Sequence, residues 1–238
     1  MEIHKPPISL YAPIVVLSIV IGILVAVLLM KKAGAKKETL GLTAFFTFVS
    51  IIICSFMMSI SLAGGDIRKI GFVGAGGALG LLVGATVSVL IHRDHVKECF
   101  ASWIIVLPLM YGLSKIACHV TGCCHGIEYR GFGYVIYPDA DNIPYFPVQL
   151  TEVIAFILIF GIGIVILNLK SYMAAAETVL GLSAAAKIGL EFLRMSHVGK
   201  TLTGYQLLIA GITALAYIVI AIIKRKNSSE KEIKSNGQ

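Results

Sequence analysis

The chain has 238 residues, 57% hydrophobic and 14% charged, with mean hydropathy +0.88; soluble domains carry roughly 25% charged residues, so an ordinary water-soluble fold is excluded. The net charge of +7 gathers beside apolar runs, at Lys31, Lys32, Lys36 and Lys37 and again at Lys224, Arg225 and Lys226. Basic residues placed there set membrane topology and touch anionic headgroups, and with no basic stripe interleaved with aromatics they argue against nucleic acid.

Seven apolar runs follow one another, at residues 8–30, 40–63, 70–91, 100–120, 148–169, 173–193 and 202–223. Each is close to the roughly 20 residues that a helix needs to cross the hydrocarbon. The first is too long for a signal-peptide core, lacks a small-residue cleavage pattern and runs into Lys31-Lys32, so it reads as a retained span. The expected fold is an all-α integral membrane protein of about seven transmembrane helices. Residues 1–226 form one multi-span domain and 227–238 a polar, unstructured cytoplasmic tail.

The third run carries Gly76, Gly80 and Gly84 every four residues, which leaves one helix face bare for close approach of another backbone. Gly76 and Gly77 together also leave room for a lipid headgroup. The connection 121–147 is the long one, and loops beyond about 12–15 residues are usually functional or disordered. Its Tyr129, Tyr134, Tyr137 and Tyr145 suit the wet edge of a bilayer.

With seven spans, twelve Lys and Arg residues fall on the side holding Lys31 and the tail, and six fall on the side holding Lys5, Arg68, Lys69, Arg130, Arg194 and Lys200. Short basic connections stay cytoplasmic, so the expected orientation is N-terminus out and C-terminus in. The loop after the fourth span then faces outward.

The five cysteines (54, 99, 118, 123 and 124) are odd in number with three close together, which does not suggest a disulfide framework. Cys54 reads as a small apolar filler. Residues 112–126 crowd Lys115, Cys118, His119, Cys123, Cys124 and His125 into one stretch at the outer end of the fourth span. On a helix Lys115 and His119 share a face. Up-and-down topology brings Gln149 and Glu152 of the fifth span to the same depth, with Lys187, Glu191 and Arg194 of the sixth and Thr203 and Gln206 of the seventh. Lys187, Glu191 and Arg194 are spaced to share a helix face. Buried ionisable groups in a membrane are costly and mark functional sites. The product is an outward cationic pocket of Lys115, Lys187 and Arg194 braced by Glu152 and Glu191, suited to an anionic lipid headgroup. Snorkelling side chains and a plain Lys187–Glu191 pair are the structural alternative. Cys118, His119, Cys123, Cys124 and His125 are also possible zinc ligands or redox thiols. Their spacing is not a pair of C-x2-C motifs and adjacent cysteines are awkward as two tetrahedral ligands, so no metal and no cofactor is expected.

These residues resemble the prolipoprotein diacylglyceryl transferase family. Its Gly-Arg-x-Gly-Asn segment and Gly-Cys-Cys-x-Gly turn are similar to Ser114-Lys115-Ile116-Ala117-Cys118 and Gly122-Cys123-Cys124-His125-Gly126. Its His-Pro-x-Gln-Leu-x-Glu resembles Phe146-Pro147-Val148-Gln149-Leu150-Thr151-Glu152, and its Arg-x-x-x-Glu-Phe-x-Arg resembles Lys187-Ile188-Gly189-Leu190-Glu191-Phe192-Leu193-Arg194. A Leu-Thr-x-x-Gln element fits Leu202-Thr203-Gly204-Tyr205-Gln206. The resemblance implies a bacterial-type plasma membrane enzyme that moves diacylglyceryl from phosphatidylglycerol, or another anionic phospholipid, to the thiol of a lipobox cysteine in a prolipoprotein, with glycerol-1-phosphate leaving. It implies catalytic roles for Lys115, Lys187 and Arg194, with His119 or His125 as base, and substrate contacts for Gly76, Gly77, Gln149, Glu152, Glu191 and Gln206. The attacking thiol is the substrate's, so Cys123 and Cys124 need not be nucleophiles. Two family arginines are lysines here, the family's His-Gly-Gly is Ala75-Gly76-Gly77, and its asparagine is Cys118. The other readings are a membrane thiol-redox or metal-binding protein and a non-catalytic lipid-binding relative.

Overall fold

The structure is a computed structural model that describes residues 10–64, 71–137 and 142–236, with side chains through 225. Lys5, Arg68 and Lys69, and the first residues of the expected first and third spans, lie outside the described residues. Seven helices follow in order: α1 (Tyr11–Lys32), α2 (Lys37–Ala63), α3 (Gly74–Ile91), α4 (Val96–Val120), α5 (Val148–Leu169), α6 (Tyr172–Glu191) and α7 (Gly204–Asn236). All seven are long and apolar enough to cross a membrane. Their outer faces carry bare apolar side chains such as Leu28, Met57, Leu90 and Leu158, each at least 60% exposed, as lipid-facing surfaces do. α7 continues beyond its apolar part, so the backbone of the polar tail is helical to Asn236 rather than unstructured.

α4 is the central helix, packed against α1, α3, α5 and α6. Its Phe100, Trp103, Ile104, Ile105 and Val106 are buried, as expected of a helix enclosed by neighbours on several sides. α2 and α3 pack by a different device. A Cβ added at Gly76, Gly80 or Gly84 would lie 2.3–2.6 Å from the nearest atom of the α2 backbone, so the bare face is in backbone contact. The opposing face of α2 places Thr43, Thr47, Ile51, Ser55 and Ser59 every four positions, all buried and all but Ile51 small hydroxyl residues. Ser55 and Ser59 also secure the start of α3. Val73 N donates to Ser55 Oγ at 2.8 Å and Gly71 N to Ser59 Oγ at 2.8 Å.

At the other end of the bundle, Asp94 between α3 and α4 caps α2 from outside, accepting from Lys36 N at 2.9 Å and Thr39 Oγ1 at 3.1 Å. The hydrogen bond from the Lys36 amide holds its carboxyl below the usual range.

The connection from α4 to α5 is a small folded unit. β1 (Val135–Ile136) pairs antiparallel with β2 (Pro144–Tyr145), and Gly126 bridges to Arg194. Tyr137 and Tyr145 are buried against His125, with ring centroids 4.5 and 5.0 Å from it. They form the core of this unit and do not lie at the wet edge expected of them.

Candidate functional site

The alternation of seven spans brings the starts of α1, α3, α5 and α7 and the ends of α4 and α6 to one side of the bundle. Glu152 lies at their centre and is fully buried. Lys187 Nζ donates to its Oε1 at 2.8 Å and Arg194 Nη2 to its Oε2 at 2.7 Å. Lys115 Nζ stands 3.6 Å from Oε2. Glu191 takes a second bond from Lys187 at 3.2 Å and lies 3.1 Å from Arg194 Nε, which is not aligned to donate to it. Three cations thus meet two carboxylates, and the cluster keeps one unneutralised positive charge in a site where charge is costly. Burial works against the Arg194 charge, but Glu152 beside it prevails and holds the guanidinium proton more tightly than usual.

Arg194 reaches the cluster from outside α6. The helix ends at Glu191, and Arg194 is extended, at the start of a 3-10 turn (Met195–His197). Leu193 O and Met195 N bond the loop at Ile127 N and His125 O, both at 3.0–3.1 Å. The expected single helix face for Lys187, Glu191 and Arg194 is therefore only two residues long; backbone pairing with the loop sets the third.

Tyr111, one turn before Lys115 on α4, ties the site to its surroundings. Its hydroxyl donates to Glu152 Oε1 at 3.1 Å, its ring lies 4.5 Å from that of Phe156, and Lys115 Nζ sits 4.8 Å from its centroid. Tyr205 similarly underlies Lys187 at 4.9 Å. Neither tyrosine stands out in the sequence, because aromatics inside apolar runs look like core. The i, i+4 spacing of Tyr111 and Lys115 is the signal that could have found the first.

A cavity of about 250 Å³ opens beside the cluster, lined by Tyr11, Lys115, Glu191, Arg194, Tyr205 and the three cysteines 118, 123 and 124. Two apolar clefts adjoin it. One, among α1 to α4, includes Ile19, Ile51, Gly77 and Leu107; the other, among α3 to α7, includes Ala75, Phe156, Leu180 and Ile209. Gly74 and Tyr111 belong to the walls of all three. Lys187 faces the second cleft rather than the polar cavity. A larger cavity of about 460 Å³, with Arg93, His95 and Glu98 in its wall, lies at the opposite end of the bundle.

Several expected site residues have other placements. Gly76 abuts the α2 backbone, whereas Gly77 lines a cleft. Gln149 is fully buried and donates to Cys123 O at 2.6 Å and Cys124 O at 3.1 Å, while its Oε1 accepts from Tyr137 Oη at 2.9 Å. Burial pushes the Tyr137 phenol up to about 12, so it stays a donor. Gln206 closes a reciprocal cap with Thr203 at the start of α7. Gln206 N donates to Thr203 Oγ1 at 3.3 Å and Thr203 N to Gln206 Oε1 at 2.9 Å. His125 is stacked between two tyrosines with Nε2 donating to Gly122 O at 2.6 Å, and His119 is buried with Nδ1 unpartnered. Neither histidine is in the cavity wall.

The cysteines converge through local backbone chemistry. α4 ends in a turn in which Cys123 N donates to Cys118 O at 3.0 Å and Gly122 N to His119 O at 3.2 Å, with Gly122 left-handed at φ +66°. That motif folds Cys123 back over Cys118. Cys124 is itself left-handed at φ +60°, a strained state for a non-glycine residue, and its thiol turns to the same point. The three Sγ atoms lie within 4.8 Å of one another, so adjacent cysteines do share a focus, contrary to the expectation from spacing. Hydrogen bonds from Cys118 and Cys123, with Lys115 and Arg194 beyond, hold the Cys124 thiol below its ordinary value, while hydrogen bonding to Cys118 and Cys124 raises that of Cys123.

No curated protein matches the chain. A buried cationic cluster beside apolar clefts, set in seven helices long enough to span a membrane, accords with the family whose motifs the sequence resembles. The model of the prolipoprotein diacylglyceryl transferase family matches residues 1–224, and the chain belongs to that family.

Proposed function

We propose that this membrane transferase moves the diacylglyceryl group of phosphatidylglycerol to a lipobox cysteine of a prolipoprotein at the outer face of a bacterial-type plasma membrane. Residues 1–226 act as one membrane domain, N-terminus out, with 227–238 as a cytoplasmic tail. The observation that carries the reading is the excess positive charge of the Lys115–Glu152–Lys187–Glu191–Arg194 cluster beside a cavity that adjoins two apolar clefts. A diacyl phospholipid has this shape: one anionic head and two chains.

In the transfer the acceptor sulfur attacks the terminal glyceryl carbon, a C–S bond forms, and the C–O bond to phosphate breaks with its electron pair on oxygen. The phosphodiester carries one negative charge and the departing glycerol phosphate gains a second. Cations fixed in place are therefore worth more in the transition state than in the ground state. Lys115 and Arg194 line the cavity and act on the phosphate. Lys187 acts from behind, with Glu152 holding all three cations in register, and Tyr111 and Gly77 line the path of the chains. Lysine in place of arginine keeps the charge and gives up the bidentate fork.

Phosphatidylglycerol vesicles, the protein and a lipobox peptide test the reading. Glycerol phosphate should appear with a cysteine peptide and not with its serine counterpart. No release from either would refute it, and release independent of the peptide would indicate a lipase.

A further inference from the structure

We infer that Cys118, Cys123 and Cys124 form a trithiolate zinc site whose fourth position opens into the cationic cavity and receives the acceptor's cysteine sulfur. The inference rests on the transferase reading and supplies what that reading lacks, a means of making the acceptor thiolate.

The three Sγ atoms already lie within 4.8 Å of one another. Zn–S bonds of about 2.3 Å put tetrahedral sulfurs about 3.8 Å apart, so closure on an ion asks each pair to draw in by about 1 Å at most. The surroundings are built to hold the sulfurs there. Cys118 is fixed by the last turn of α4, Cys123 by the turn that returns to it, and Cys124 by a strained left-handed backbone. Buried Gln149 clamps the carbonyls of both loop cysteines. A thiol trio selects a soft or borderline ion, and three protein ligands with an open fourth position are the pattern of a catalytic rather than a structural zinc.

Position decides the role. All three cysteines line the cavity that holds Lys115 and Arg194, so the open coordination site faces the lipid phosphate's place. Among the described residues no histidine is in that wall, and both carboxylates of the cluster are held by cations. Among the described residues, the groups in that wall left to deal with the acceptor's proton are the three thiols themselves, which the ion would hold as thiolates. A zinc-bound thiol loses its proton outright. Three thiolates on a divalent ion carry one net negative charge and a fourth carries it to two, part of which is offset by the one unneutralised positive charge of the Lys115–Glu152–Lys187–Glu191–Arg194 cluster.

The steps balance without a redox partner. The acceptor thiol displaces water from the ion and releases its proton to solvent. The bound sulfur attacks the glyceryl carbon as the C–O bond breaks towards phosphate. The thioether formed is neutral and a poor ligand, and water replaces it.

The test uses the full chain purified in detergent under reducing conditions from zinc-supplied cells. About one zinc per chain is expected by elemental analysis, lost in Cys118→Ser and in the Cys123→Ser/Cys124→Ser double variant. Cobalt exchanged into the site should give near-ultraviolet thiolate charge-transfer bands that strengthen on adding a lipobox peptide and not its serine counterpart. Chelation should abolish transfer and zinc should restore it. Wild type that holds neither zinc nor cobalt, yet transfers, would overturn the metal site and leave the transferase reading intact. Metal-free protein as fast as loaded protein would overturn the activating role, as would retention of copper(I) with zinc excluded or a disulfide among the three cysteines in active enzyme. Zinc held through the cysteines with no transfer by any sample would refute the transferase reading and the activating role together.

Discussion

Removing Lys115 separates the chemistry of the cluster from its contribution to folding. Lys115 is the loosest of the three cations on Glu152, at 3.6 Å against 2.8 and 2.7 Å for Lys187 and Arg194, and it lines the cavity. In Lys115→Ala, two cations face two carboxylates, so no buried charge is left without a partner and the fold should survive. The phosphate, however, loses the excess charge. Unit charges about 4 Å apart interact by about 4 kcal/mol at an effective dielectric near 20. Loss of one preorganised donor typically costs about 100- to 1000-fold in rate, or about 2.7–4 kcal/mol, on the same scale. Lys115→Ala should therefore keep its thermal midpoint and lose two to three orders of magnitude in turnover. Lys115→Arg should keep measurable activity, because arginine retains the charge and adds the phosphate-matching fork. The assay is glycerol phosphate release from phosphatidylglycerol vesicles with a lipobox peptide, at matched folded protein. An alanine variant as fast as wild type would refute the charge argument and reduce Lys115 to a snorkelling side chain.

Glu152→Gln removes the common counter-charge of three cations and should destabilise the protein by about 3–5 kcal/mol, seen as a lowered unfolding midpoint in detergent; an unchanged midpoint would contradict the central place given to Glu152. Gly80→Ala puts a Cβ 2.3 Å from Ser50 O, so α3 must part from α2, at a cost of about 1–3 kcal/mol in the same melting experiment. Phe132, fully exposed in the α4–α5 connection, tests orientation. Phe132→Cys should add impermeant maleimide labelling over wild type in intact cells, and labelling only after lysis would reverse the topology.

The spans were legible because each is a long apolar run, and the convergence of Lys115, Glu152, Lys187 and Glu191 follows from alternating direction alone. What the sequence hid depends on tertiary contacts. Arg194 looked helical because its spacing continued that of Lys187 and Glu191, yet its backbone is held by pairing with the loop at Gly126 and Ile127. The family resemblance implies substrate contacts for Gln149 and Gln206; the bonds they make inside the protein, to the carbonyls of Cys123 and Cys124, to Tyr137 and in a cap with Thr203, depend on the folded loop and could not be read from spacing. His125 looked free to act as a base, but two tyrosines 12 and 20 residues further on enclose its ring. The cysteine focus was unreadable from spacing, since it requires a left-handed glycine at 122 and a left-handed cysteine at 124.

The central claim is transfer of a diacylglyceryl group to a protein thiol, and the mass of the acceptor tests it most directly. Purified protein is incubated with phosphatidylglycerol vesicles and a lipobox peptide, and the peptide is examined by mass spectrometry. The account predicts a peptide heavier by one diacylglyceryl group, linked as a thioether at its cysteine and absent when Arg194→Ala replaces wild type. Unmodified peptide and intact lipid, recovered from folded wild-type protein supplied with zinc, would contradict it.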